Sequence, residues 1–389
     1  MRSLSLPTTD GRIEIYNVIG LPLAPPAPGA SRSFNRVAYA AAHVVADPFA
    51  DNDPWLDQSI DWERTISFRH YLWNLGLGVA EAMDTAQRGM GLNPSGAQEL
   101  IRHSLDAARN RPGALIACGA GTDHLTVDAN LEVDDVIRAY EEQIEFVESL
   151  GGRIILMGSR ALVAVARSPE DYLRVYDRIL RQTKQPVILH WLGEMFDPAL
   201  AGYWGSVDHM AAMNTCVDLI NSHAEKVDGV KVSLFSAERE IAMRRRLAPG
   251  VRMYTGDDFN YQELIAGDEH GHSDALLGIF DAIAPLAAAA LARLGAGDEE
   301  GFRAILAPTV PLSRHIFKAP TRFYKTGIVF LAYLNGFQDH FVMLGGQQGA
   351  RSLVHLAELF RLADAAGALR DPDTATLRMK QVLAVGGVA

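Results

Sequence analysis

The sequence predicts a (β/α)8 barrel, preceded by a hairpin and followed by a helical extension. Three observations carry the prediction. Eight short apolar runs alternate with segments of helical spacing. They span about 250 residues, the size of such a barrel. The turn after the first run, VVADPFADNDP, lacks the glycine-rich phosphate turn expected of a doubly wound sheet.

The opening MRSLSLPTTDGRIEIYNV alternates around Asp10-Gly11, as a hairpin does, and has no signal-peptide core. The proline-rich GLPLAPPAPGAS follows as a connector. The predicted barrel strands are residues 36–46, 78–84, 114–119, 153–158, 186–192, 229–235, 251–256 and 275–281. Between them, DDVIRAYEEQIEFVESLGG places Val136, Ile137, Tyr140, Ile144 and Val147 on one stripe, and Gly151-Gly152 stop it. SPEDYLRVYDRIL has Ser168 as N-cap and Pro169 in the first helical position. The expected division is 1–35 hairpin and connector, 36–298 barrel, and 299–389 helical extension.

Composition excludes several classes. The chain has 389 residues, 48% hydrophobic, with a formal net charge of -11, so no basic surface for nucleic acid is expected. The Arg244-Arg245-Arg246 cluster, followed by Pro249-Gly250, reads as a solvated helix end. LLGIFDAIAPLAAAALARL is interrupted by Asp281 and Pro285 and makes a poor membrane span. Cys118 and Cys216 form neither a disulfide framework nor a zinc motif, which suits a reduced, cytoplasmic setting.

The informative anomaly is VDGVKVSLF, an apolar strand with a lysine inside it. Alternation puts Val230, Val232 and Leu234 on one face and Gly229, Lys231 and Ser233 on the other. In a barrel the second face looks inward, near the C-terminal rim where barrel enzymes work. A desolvated lysine there has a lowered pKa and suits imine formation. Pairing with a neighbouring acid or snorkelling to the strand end is the other reading.

The order of ALIACGAGTDHL, QPVILHWLG, VDGVKVSLFSAE, YTGDDFNYQELIAG and LLGIFDAIAP resembles the superfamily of dihydrodipicolinate synthase and N-acetylneuraminate lyase, over residues 36–365. As a divergent branch of these class I aldolases, the chain would use Lys231 as the imine-forming residue. It would act without a cofactor on a small carbonyl substrate, as a homo-oligomer. The family's second strand ends in Gly-Thr-Thr-Gly-Glu; MDTAQRGM keeps only Thr85 and puts Arg88 at the Glu position, as a replacement carboxylate or phosphate clamp or a surface arginine. The fourth strand, RIILMGSRALVAVARS, lacks the family's catalytic tyrosine.

His190 and Tyr254 are therefore the candidate acid/base residues, His190 because imidazole titrates near neutrality. Trp191, Ser233, Gly256, Asp257 and Asp258 are the remaining candidates for contact with substrate. The expected function is a Schiff-base lyase or aldolase of a keto sugar or 2-keto-3-deoxy sugar acid. A metal-dependent lyase or isomerase is the alternative, with Asp268, Glu269, His270 and His272 of GDEHGHSD as ligands. A non-catalytic barrel is the third.

Overall fold

The computed structural model describes residues 2–20 and 34–388; most of the proline-rich connector lies outside them. An antiparallel hairpin, β1 (Ser3–Pro7) and β2 (Ile13–Asn17), turns at Gly11, whose φ of 80° suits glycine. The closed parallel barrel follows: β3 (Ala38–Ala41), β4 (Gly78–Glu81), β5 (Ile116–Ala120), β6 (Arg153–Leu156), β7 (Val187–Leu192), β8 (Val227–Ser233), β9 (Arg252–Thr255) and β10 (Asp274–Leu277). Neighbours pair in sequence order, and β10 closes on β3 through Ala275↔Ala38, Leu276↔Tyr39 and Leu277↔Ala40.

The strands are short because both faces are buried and the helices take over at each rim. The first and last predicted runs are longer than the strands found. After β10 the chain enters a helix, Ile279–Ala282, whose leading amide is taken by the Asp258 carboxylate at 2.9 Å. The stripe Val136, Ile137, Tyr140, Ile144 and Val147 is buried in the helix Val133–Ser149. Ser168 occupies the N-cap of Pro169–Gln182 without a side-chain bond to it; Asp171 instead accepts from the Arg167 amide at 2.8 Å.

Outer-face side chains such as Val230, Val232 and Leu234 pack with the helices in one large core. Inside the barrel, a second cluster of Tyr39, Ala41, Ala80, Ile155, Ile188, Tyr254 and Leu276 fills the lumen. The closing seam carries a buried polar chain. Asp281 accepts from the His43 amide at 2.7 Å and lies 2.8 Å from His43 Nδ1. Arg69 donates to the His43 carbonyl and, through two nitrogens, to Glu81 at 2.8 and 2.9 Å. Ser104 and the Ala82 amide complete the Glu81 shell.

Past the barrel, helices Glu299–Leu306, Thr309–Ile316, Tyr324–Leu334, Leu353–Ala365 and Pro372–Val385 pack together. Every residue of Tyr324–Leu334 is buried. That helix lies against the turn after β4 and the helix after β10, so it covers part of the C-terminal rim. Among the described residues, no helix is long and apolar enough to cross a membrane.

Candidate active site

Lys231 projects from the inner face of β8 and is 8% exposed. It lines an inner chamber of about 10 Å³, room for a group the size of one water. Asp84, Thr85, Ser233, Asp258, Phe196 and Tyr324 complete most of that wall. An outer chamber of about 120 Å³ adjoins it, lined by Asp84, Arg88, Asp123, Arg160 and His190 among others. Asp84 and Leu192 line both, so the two chambers lie side by side at the rim.

Burial lowers the Lys231 pKa, and the charges of Asp258 and Asp84 partly offset this. Burial pushes Asp258 up to about 7, against the Ile279 amide and the lysine, which favour its ionised form. A buried amine and a buried carboxyl thus face each other with both pKa values drawn toward neutrality. Gly256 on the adjoining strand has no room for a side chain: a Cβ there would lie 2.2 Å from Ser233 Oγ and 2.7 Å from Lys231 Cε. The glycine is what lets the lysine stand upright.

Thr85 Oγ1 lies 2.9 Å from the Tyr324 hydroxyl. Burial holds the Tyr324 phenol well above its ordinary pKa, and the nearby Asp84 charge adds to this. The hydroxyl is therefore a retained proton donor at the chamber wall. Sequence reasoning missed both Tyr324 and Asp84. The signal for the first was the polar pair Lys325-Thr326, set between aromatic residues and the apolar GIVFLAYL.

The other expected site residues fall in different places. Tyr254 points inward, but its hydroxyl donates to Asp228 at 2.6 Å, at the start of β8 and the opposite end of the barrel from the rim. Gly229 leaves room for its ring: a Cβ would meet Tyr254 Cε2 at 2.7 Å. Tyr254 as acid/base is corrected on this ground. His190 lines the outer chamber, with Nε2 3.4 Å from Ser233 Oγ and, among the described residues, no partner on buried Nδ1. Burial, reinforced by Lys231, pushes its pKa well below the ordinary value, so it is a neutral imidazole and not a group titrating near pH 7.

Trp191 lies on the outer face of β7, against Trp204 and His209, and meets neither chamber. Asp257 is taken up by its own turn, accepting from the Phe259 and Asn260 amides at 2.9 and 3.1 Å and from the Asn260 side chain at 2.8 Å. Arg88 reaches the outer chamber, but Asp123 occupies its fork at 2.8 and 3.0 Å, while Gln143 and the Gly119 and Ala82 carbonyls take the rest. Burial would raise Asp123; the Arg88 contact instead holds it down at about 2. The expected clamp already holds a carboxylate of its own chain.

The GDEHGHSD loop precedes β10 and so sits at the N-terminal end of the barrel, away from Lys231. Asp268 there accepts from Arg244 at 2.8 Å and Arg245 at 3.1 Å, which also makes Arg244 a partly buried ion-pair residue and not a solvated helix end. His270 is exposed beside Glu269. Among the described residues, no three His, Cys, Asp or Glu side chains converge as a metal-ligand set.

Comparison with solved structures finds the dihydrodipicolinate synthase fold. YagE, a prophage protein of the dihydrodipicolinic acid synthase family from E. coli K12 in complex with pyruvate, matches at a TM-score of 0.63 and 13% identity, over 92% of this chain and 100% of that one. Chloride-inhibited dihydrodipicolinate synthase from Acinetobacter baumannii complexed with pyruvate matches at 0.62 and 17%, over 85% and 99%. The dihydrodipicolinate synthase of Thermotoga maritima matches at 0.62 and 15%, over 87% and 100%. No curated protein matches the chain by sequence. One family does: the family described as protein of unknown function (DUF993) matches residues 4–388, and the chain belongs to it.

Proposed function

We propose that the chain is a Schiff-base-forming lyase or aldolase acting on a hydroxylated carbonyl compound, a keto sugar or a 2-keto-3-deoxy sugar acid. One observation carries this reading: a desolvated lysine in a small chamber whose wall also carries a carboxyl group and a phenol. Neutral Lys231 Nζ adds to the substrate carbonyl carbon. The carbonyl oxygen takes up protons and leaves as water, and the nitrogen remains as a protonated imine. That cation draws the electron pair of the bond being broken, or of a departing C–H.

Tyr324 is placed to give the proton to the leaving oxygen, oriented by Thr85. Asp258, drawn toward neutrality, is the group that can both release and recover a proton. Ser233 and His190 provide neutral hydrogen-bonding partners along the two chambers. A homo-oligomer is proposed on the resemblance alone.

Borohydride reduction in the presence of keto sugars and sugar-derived oxo acids, with peptide mass mapping, tests the reading. A reduced adduct on the Lys231 peptide, absent from Lys231→Met, is expected. Adducts confined to surface lysines, or activity that needs stoichiometric metal and is lost to a chelator, would overturn it.

A further inference from the structure

The charges around the inner chamber do not match those of a 2-oxo acid. Asp84 stands in the turn after β4, half-buried, and lines both chambers. Among the described residues its carboxylate meets no hydrogen-bond donor, in contrast to Asp123 and Asp257. Asp258 lines the same inner wall. Set against these two acids within the chamber wall is Lys231; from outside both chambers, the Lys325 charge also acts on Asp84. The outer-chamber cations are already matched, Arg88 by Asp123 and Arg160 by Asp197. The nearby Lys325 gives its ammonium to the Arg322 carbonyl at 3.1 Å and the Met90 sulfur at 3.3 Å, and lines neither chamber.

The carboxylate of a 2-oxo acid is bonded directly to the carbonyl carbon. Once that carbon is joined to Lys231 Nζ, a carboxylate on it lies beside Asp84, which lines both chambers, and within reach of the Asp258 charge. One imine cation would then face up to three anions at low local dielectric, where like charges repel strongly. A hydroxymethyl group at that position reverses the balance: it adds no charge, and its O–H can donate to the Asp84 carboxylate. Resting on the Schiff-base reading above, we infer that the site takes uncharged hydroxyketones and ketoses and rejects 2-oxo acids, with Asp84 as the residue that discriminates.

Two matched pairs test this, each differing only in hydroxymethyl against carboxylate: hydroxyacetone with pyruvate, and dihydroxyacetone with hydroxypyruvate. The rate of cyanoborohydride trapping on Lys231 is measured for each and divided by its rate on N-α-acetyl-lysine, which removes intrinsic carbonyl reactivity. The neutral member of each pair is expected to trap at least tenfold faster. In Asp84→Asn, and in Asp84→Ser as a second variant, the preference should narrow at least threefold. Oxo acids trapping as fast as their neutral partners in the native protein, or an unchanged ratio in both variants, overturns the inference while leaving the imine intact. No adduct on Lys231 from any of the four compounds removes the Schiff-base reading itself, and the selectivity with it.

Discussion

The Tyr324 hydroxyl lies 2.9 Å from Thr85 Oγ1, although 239 residues separate them. The pair joins the turn after β4 to a helix beyond the barrel, and it does so at the wall of the lysine chamber. Tyr324→Phe is expected to lower turnover by about 10²–10⁴-fold, the usual range for a lost general acid. The Lys231 adduct should still form with substrate, but more slowly. Thr85→Val should cost less, and the double variant no more than Tyr324→Phe alone, because the two act as one unit. Steady-state kinetics beside adduct mapping checks all three.

Gly256→Ala should disable the lysine without touching it. The added methyl group overlaps Ser233 Oγ, Lys231 Cε and the Val232 carbonyl oxygen; the side chains must turn away into the chamber, and the backbone oxygen cannot. An overpacking cost of about 1–3 kcal/mol is expected, read by denaturant unfolding. Trapping on Lys231 should fall more than tenfold, whereas Gly349→Ala, where nothing stands within 4 Å of a Cβ, should leave trapping unchanged.

Glu240 sets a pH dependence of stability. Burial pushes its carboxyl up to about 8, against the Ser273 hydroxyl, which donates to it at 2.7 Å. The Thr255 side chain also favours its ionised form. A folded-state pKa above the unfolded one means that the folded chain holds the proton more tightly. The stabilisation is therefore full below about pH 4.5 and is lost as pH rises to about 8. Glu240→Gln is expected to be more stable than the native chain at pH 9, by a few kcal/mol at most, with the difference shrinking toward pH 5. Unfolding curves of the two proteins across that range, subtracted pairwise, isolate this residue from Asp258 and Lys231.

The seam network predicts a large loss. Arg69 and Glu81 are both fully buried. Glu81→Gln leaves the guanidinium uncompensated and should cost about 3–5 kcal/mol, measured as a shifted denaturation midpoint. Replacing both by apolar residues of similar volume should recover much of that, since the desolvation of two charges is then also removed.

Much of the scaffold is legible because period-two and period-3.6 patterns are local. Alternation in GVKVSLF is enough to assign Lys231 to the lumen side and Val230 and Val232 to the helix side. It does not say which way along the barrel axis a long side chain leans, so Tyr254 and Lys231, paired in register, end at opposite ends. Nor does it give burial, which decides that His190 is neutral. Tyr324 is invisible for a different reason: its place depends on how a distant helix packs over the rim, and no local periodicity encodes that. Asp84 hides in a turn that the resemblance describes through its threonine.

The helix Tyr324–Leu334 carries one further consequence. β6, Arg153–Leu156, contributes only apolar side chains past its first residue, so the eight βα units hold the proposed nucleophile and leave the phenol to a neighbouring segment. On the proposed function, nucleophile and proton donor are then separately heritable parts. A replaced or reshaped rim helix would re-equip the same barrel for different proton chemistry, with the lysine strand and its glycine neighbour left as they stand.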